Sequence, residues 1–233
     1  MFDIIGDVHS CFDELGQLVT KLGYGDNHRP DGRHLVFVGD LTDRGPNAVD
    51  TLAFVMTAVR NGVAFAVMGN HDDKLRRYLM GNDVKLAHGL AETAKQLEAA
   101  GEGFKANVLE FLNKLPIELT LDAGKLSVSH AGLPTELQGK TNSKAKSHAL
   151  FGKTTGKTDE EGLPERLDWA KDYTGSVVVV HGHTPMRNAR NLNNVWCVDT
   201  GAPFGNRLTA LRYPEMELVS VESQKNYCGF VKR

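Results

Sequence analysis

The sequence predicts an α/β domain built on parallel strands. Short apolar runs at 2–5, 34–38 and 63–68 alternate with segments whose apolar residues recur at helical spacing. Strand, helix, strand, helix at these intervals implies right-handed crossovers between parallel strands. The 233 residues, 41% of them hydrophobic, are enough for one large domain with a sizeable core.

The elements follow in order. Phe2–Ile5 is a buried strand ending at Gly6, and 11–22 is a helix with apolar residues at 12, 15, 18, 19 and 22. His34–Val38 is the next strand. A helix over 46–60 starts at Pro46, where the missing N–H costs nothing. Val63–Met68 is a third strand, with a helix from about Asp72. Two helices at 84–100 and 104–115 are expected to cover the site or one flank. A hairpin joins 117–121 to 125–129 through Asp122-Ala123-Gly124. Residues 138–164 are rich in Gly, Lys, Thr and Ser and predict a long surface loop. Strands are expected at 176–180, 195–198, 207–212 and 218–221. The domain is placed at 1–221, with a loose tail at 222–233.

Composition excludes several classes. The formal net charge of −2 leaves no global field for nucleic acid or an acidic membrane surface. Cys11, Cys197 and Cys228 form no CxxC pair, which argues against a disulfide scaffold and suits a reducing compartment. No basic leader with a long apolar core begins the chain, and its longest wholly apolar runs are far too short to span a membrane. A cytoplasmic protein is expected.

The informative feature is what stands at the strand ends. They carry Gly6-Asp7-Val8-His9, Gly39-Asp40-Leu41-Thr42-Asp43-Arg44-Gly45, Gly69-Asn70-His71-Asp72, Ser129-His130-Ala131-Gly132 and His181-Gly182-His183-Thr184. Ligand sites in α/β sheets lie beyond the carboxyl ends of strands, so five such ends would meet on one rim. Asp, His and Asn without a thiolate suit manganese, iron or zinc better than calcium. Asp7 and His9, two apart, point the same way from an extended backbone. Asp7, His9, Asp40, Asn70, His130 and one histidine of 181–183 are too many for one ion. Two ions bridged by Asp40 would use them all. Such a cationic pair attracts phosphate, acidifies a water and steadies both oxygens of an in-line displacement. Arg44 would grip phosphate with its planar fork. Asp43 would favour the protonated ring of His71, a proton donor to the leaving oxygen.

Each motif alone has a bland reading: a helix cap at GDVHS or GNHD, a salt-bridged turn at GDLTDRGP, a satisfied histidine at SHAG. All five in this order favour function. His28, His34, His88 and His148 read as surface or packing residues, and the cysteines as buried apolar groups. Lys74, Arg76 and Arg77 read as a solvated helix face, with a phosphate-binding rim as the alternative.

GDVHS, GDLTDRGP, GNHD, SHAG and GHTP together resemble the calcineurin-like metallophosphoesterases, from residue 2 to about 221. A nearer likeness, carried by 81–90, 151–170 and 198–215, is to bacterial PrpE-type bis(5'-nucleosyl)-tetraphosphatases. It extends equally to the phosphatase module of bacterial polynucleotide kinase-phosphatase. The resemblance implies a β-sandwich flanked by helices, two divalent metals and attack by a metal-bound hydroxide. It implies manganese first, with iron, zinc or nickel as alternatives. It assigns Asp7, His9 and Asp40 to one metal and Asp40, Asn70, His130 and His183 to the other. His71 and Asp43 would be catalytic. Arg44, Asn70 and a second cation, Arg166 with Lys171 as the alternative, would contact substrate. Asp199 would brace a ligand histidine.

Two departures stand out. Ser10 replaces the usual glycine after GDxH and could cap the helix. Pro185 replaces a further histidine, which suggests a first metal with more water and easier loss. The expected substrate is a dinucleoside polyphosphate, with phosphoproteins or nucleotide and nucleic-acid ends as alternatives. No membrane and no stable nucleic-acid partner is expected. A non-catalytic metal-dependent binding module is the competing class.

Overall fold

The computed structural model describes residues 1–25, 30, 32–158 and 164–228. His28 lies outside them. The parallel start is as predicted: β1 (Phe2–Ile5), β2 (His34–Phe37) and β3 (Ala64–Ala66) pair parallel, with Ile4 opposite Val36 and Val36 opposite Phe65. The crossovers are α1 (Phe12–Lys21) and α2 (Ala48–Arg60). β11 (Arg207–Tyr213) runs antiparallel on the other side of β1, and β12 (Glu217–Glu222) antiparallel beyond it.

A second five-stranded sheet has the order β4-β5-β8-β10-β9. Here β5 (Leu126–Val128), β8 (Val178–His181) and β10 (Val195–Cys197) are parallel. The edge strands β4 (Leu119–Leu121) and β9 (Arg190–Leu192) are antiparallel to their neighbours. β4 and β5 form the expected hairpin.

The two-residue period explains the sandwich. Ile4, Val36 and Leu211 of the first sheet meet Leu126, Val128 and Val180 of the second in one buried cluster. Their neighbours Ile5, Leu35, Phe37 and Ala210 face the opposite way, onto Leu15 and Leu18 of α1 and Val55 of α2. A third cluster joins α2 to α3 (Asn70–Leu79), α4 (Leu90–Ala100) and α5 (Glu102–Lys114) through Leu52, Leu75, Leu90, Leu97 and Leu112.

Several expectations are corrected. The 138–164 stretch is not one loop: it holds α6 (Ser143–Phe151), capped by Asn142 Oδ1 accepting the Ala145 N–H at 2.9 Å. It also holds a ribbon of β6 (Thr154–Thr158) and β7 (Pro164–Arg166). α4 starts at Leu90, not 84, because Gly89 breaks the helix at φ 99°. α2 starts after Pro46, at Ala48. Ser10 does not cap α1; Cys11 holds that position. The described part of the tail, to Cys228, is docked. Glu14 Oε1 accepts the Gln224 N–H and the Tyr227 hydroxyl, each at 2.9 Å.

Candidate metal centre

Loops after β1, β2, β3, β5 and β8 converge as expected, three from the first sheet and two from the second. Hydrogen bonds lace the loops together: the His9 N–H to Asp40 O, the Ser10 N–H to Leu41 O and the Gly182 N–H to His130 O, each at 2.9 Å. The backbone takes left-handed φ at His9 (46°), Asp40 (49°), Asp43 (71°), Arg44 (67°) and His183 (68°). Such strain persists only where surrounding structure over-determines it, and it clusters at functional sites.

Asp40 is the hub. Its Oδ2 lies 3.5 Å from His9 Nε2 and its Oδ1 lies 3.4 Å from His130 Nε2. His130 Nε2 is also 3.0 Å from Asn70 Oδ1 and 3.0 Å from His183 Nδ1. Two sets of donors, His9, Asp40 and His71 and then Asp40, His130 and His183, each fall within 4.8 Å of one another. The ligand-type histidines are oriented by backbone carbonyls: His9 Nδ1 meets Thr42 O at 2.8 Å and His130 Nδ1 meets Val38 O at 3.0 Å. That leaves each Nε2 facing the cluster.

His183, not His181, enters the cluster. β8 ends at His181, and the left-handed turn at His183 breaks the alternation that would have put both rings on one face. His181 stays buried beside Trp169, with ring centroids 6.0 Å apart. Asp7 is buried at the centre but falls in neither close set. Its two oxygens accept the His183 N–H, at 3.0 and 3.2 Å. The approach is so close that a Cβ on Gly182 would collide with Asp7 Oδ1.

His71 Nδ1 donates to Asp43 Oδ2 at 2.6 Å, and Arg44 Nη2 reaches His71 Nε2 at 3.5 Å. The Arg44 guanidinium lies 5.1 Å from the Phe204 ring centroid. Arg166 Nη1 donates to His183 O at 2.8 Å and Thr184 Oγ1 at 2.9 Å, which sets this exposed side chain beside His183. Lys171 is instead turned to Asp168, at 3.7 Å. Asp199 is buried nearby, yet it accepts the Gly201 N–H at 3.0 Å rather than bracing a ligand imidazole. Arg76 and Arg77 pair with Asp73, while Lys74 Nζ donates to Ala87 O at 2.9 Å. His34 packs against Phe65, and buried His148 is held by Gly132 O at 3.0 Å. Exposed His88 stands on the rim, in the field of Arg44 and Lys74.

Two supporting residues escaped the sequence reading. Asp72 Oδ2 accepts the N–H groups of Asp40 (2.8 Å) and Gly69 (2.9 Å), and Oδ1 accepts that of Leu41 (3.0 Å). The signal was available, since an acidic third residue after a helix-starting glycine marks a capping box. Thr93 Oγ1 of α4 donates to Asp43 Oδ1 at 2.7 Å. A threonine on the apolar face of α4, beside Leu90, Ala94 and Leu97, was the clue there.

Electrostatics fit a cationic occupant. Burial pushes the Asp7 carboxyl up, and neighbouring Asp199 and Asp40 push it further. Burial likewise raises Asp199 to about 6. Burial opposes ionisation of Asp40 too, but His130 and His71 prevail and hold it well below the usual range. Burial lowers His9 and His183, keeping the neutral rings that metals bind. Crowded carboxylates and neutral imidazoles are the donor chemistry of a divalent-metal site.

The calcineurin-like phosphoesterase family profile matches residues 1–219. This chain belongs to the calcineurin-like phosphoesterase family. Two relatives carry the name bis(5'-nucleosyl)-tetraphosphatase PrpE, asymmetrical. That of Anoxybacillus flavithermus is 46% identical over 97% of this chain and 96% of its own. That of Bacillus subtilis is 45% identical over the same shares. The crystal structure of a provisionally assigned diadenosine tetraphosphatase matches with TM-score 0.68 at 25% identity, covering 95% of this chain and 93% of that one. A protein serine/threonine phosphatase from Saccharomyces cerevisiae shares the fold, with TM-score 0.65 at 14% identity over 95% of this chain and 79% of that one.

This calcineurin-like phosphoesterase is therefore a hydrolase of a family that works with divalent metal ions. No helix among the described residues is long and apolar enough to cross a membrane.

Proposed function

We propose that this chain is a cytoplasmic hydrolase that splits dinucleoside tetraphosphates asymmetrically, with two manganese ions. The observation that carries the reading is Asp40. One carboxylate faces two separate donor groups, in a chain whose relatives named for this reaction match it along nearly their whole length. Asp7, His9 and Asp40 would hold one ion, and Asp40, Asn70, His130 and His183 the other. When bound, the ions supply Lewis acidity and lower the pKa of a shared water.

The chain's own groups do the rest. Arg44 and Arg166 lie at the two donor groups and grip phosphate oxygens, drawing the phosphoanhydride into line. The oxygen of the shared water, one proton already lost to solvent, bonds to phosphorus as the bond to the leaving phosphate breaks. His71 Nε2 gives its proton to that departing oxygen. Asp43, itself held by Thr93, accepts from Nδ1 and keeps the ring in place. The three cysteines carry no disulfide, in keeping with a reducing compartment.

The test is a panel of diadenosine tetraphosphate, a phosphopeptide and 2',3'-cyclic AMP with added manganese. The reading expects AMP plus ATP from the first, abolished by EDTA. Two ADP, or preferred turnover of the phosphopeptide, would overturn it.

A further inference from the structure

Next to His183 the fold encloses a cavity of about 200 Å³. Its apolar wall includes Leu167, Trp169, Met186 and Leu192; its cations are Lys153, Arg166 and Arg190, the last paired with Asp168. His183 belongs both to this wall and to the metal-donor cluster, and Arg166 of the wall donates Nη1 to His183 O. The cavity therefore adjoins the metal-donor cluster at His183. Leu167 is 40% exposed, and Trp169 is half-buried against Gly132 and Tyr173.

A mostly apolar lining with a few convergent charges is the make-up of a small-molecule site. Whole ligands of drug size occupy about 300–1,000 Å³, so this cavity takes a part of a ligand, not a dinucleotide. An indole among aliphatic side chains suits the flat, weakly polar faces of a base. Arg166 lines the cavity and lies in the fields of the carboxylates Asp199, Asp7 and Asp40. A guanidinium there can hold the phosphate attached to whatever occupies the cavity. Arg44, Lys74 and Lys85 form a second cationic group, each acting electrostatically on exposed His88. A substrate with a base at one end and a run of phosphates beyond it matches this polarity.

We infer that the cavity lined by Leu167, Trp169 and Met186 is a nucleoside subsite, seating one base of the substrate while its phosphate passes Arg166 to the metal centre. The inference rests on the dinucleotide reading above. It adds that the base is recognised, and where.

Calorimetric titration of the manganese-loaded protein compares AMP, ribose 5-phosphate and inorganic phosphate. AMP is expected to bind at least about tenfold more tightly than ribose 5-phosphate, the difference being the base. Leu167→Asp at the exposed lip should erase most of that difference. The ratio of its effects on AMP and on inorganic phosphate should be about five or more. Trp169→Phe should keep part of the difference and Trp169→Ala should lose it. If Trp169→Ala fails to fold, Leu167→Asp decides. Equal binding of AMP and ribose 5-phosphate, or equal weakening of all three ligands by Leu167→Asp, would overturn the subsite. Turnover of diadenosine tetraphosphate is read separately. Hydrolysis without base-dependent binding removes the subsite alone, and base-dependent binding without hydrolysis removes the substrate reading alone.

Discussion

Gly182→Ala isolates the seating of Asp7. Gly182 has no left-handed φ, so alanine suits its backbone and the only new object is a methyl group. That methyl would overlap Asp7 Oδ1 and stand 2.8 Å from Val38 Cγ2 and 2.9 Å from Asp7 Cγ. Val38 is fully buried in the sandwich and has nowhere to go, so the carboxylate, which the new methyl overlaps, must move by more than about 1 Å to restore ordinary contact. Misplacement of that size costs about 10²-fold in rate when a site depends on alignment. The variant should keep a melting temperature close to the parent. Its metal content after dialysis should fall from two ions per chain towards one, with kcat/KM lower by about 10²-fold. Mass-spectrometric metal analysis and a steady-state assay on one preparation decide it. A folded Gly182→Ala protein with two ions and parental turnover would refute the assignment of Asp7 as a ligand.

Other perturbations separate the parts. His71→Ala should lose about 10²–10⁴ in turnover with near-normal metal content, most severely for poor leaving groups; equal loss for p-nitrophenyl phosphate and an alkyl phosphate would remove the proton-donor role. Asp72→Asn replaces one acceptor of three backbone N–H groups by a donor facing one of them. It should destabilise the fold by about 1.5–3 kcal/mol in urea denaturation and weaken metal binding; unchanged stability would contradict the bracing. Burial lowers the His148 pKa, and its Nε2 is buried without a hydrogen-bond partner among the described residues. The unfolded chain therefore takes up this proton first as pH falls. The stability that His148 contributes is present above about pH 6.5 and lost below it. Urea midpoints at pH 8 and 5.5 should differ less in His148→Gln than in the parent.

Legibility followed from how locally each feature is specified. β1, β2 and the edge strand β3 announce themselves because parallel strands covered on both faces are apolar on both. The Asp40 and His71 loops were legible because each concentrates its chemistry within seven residues or fewer. α6 was hidden because Ser143–Phe151 is rich in Lys, Ser and His, and only its Asn142 cap marks it. β6 is wholly exposed and carries no apolar alternation, while β9 is a three-residue edge strand. The choice between His181 and His183 turned on where β8 stops, and one residue of strand decides which ring faces the donors. The capping box marks Asp72 only as a helix start, and its bonds to Asp40 and Leu41, like that of Thr93 to Asp43, span 31 to 50 residues of sequence, so the bracing itself is not written locally.

Manganese titration followed by electron paramagnetic resonance bears most directly on the sharing of Asp40. Two ions held by one carboxylate should bind in a ratio of two per chain and give a spin-coupled spectrum, which Asp40→Ala abolishes together with high-affinity binding. A single isolated six-line signal at one ion per chain, or a coupled pair that survives Asp40→Ala, would contradict the account.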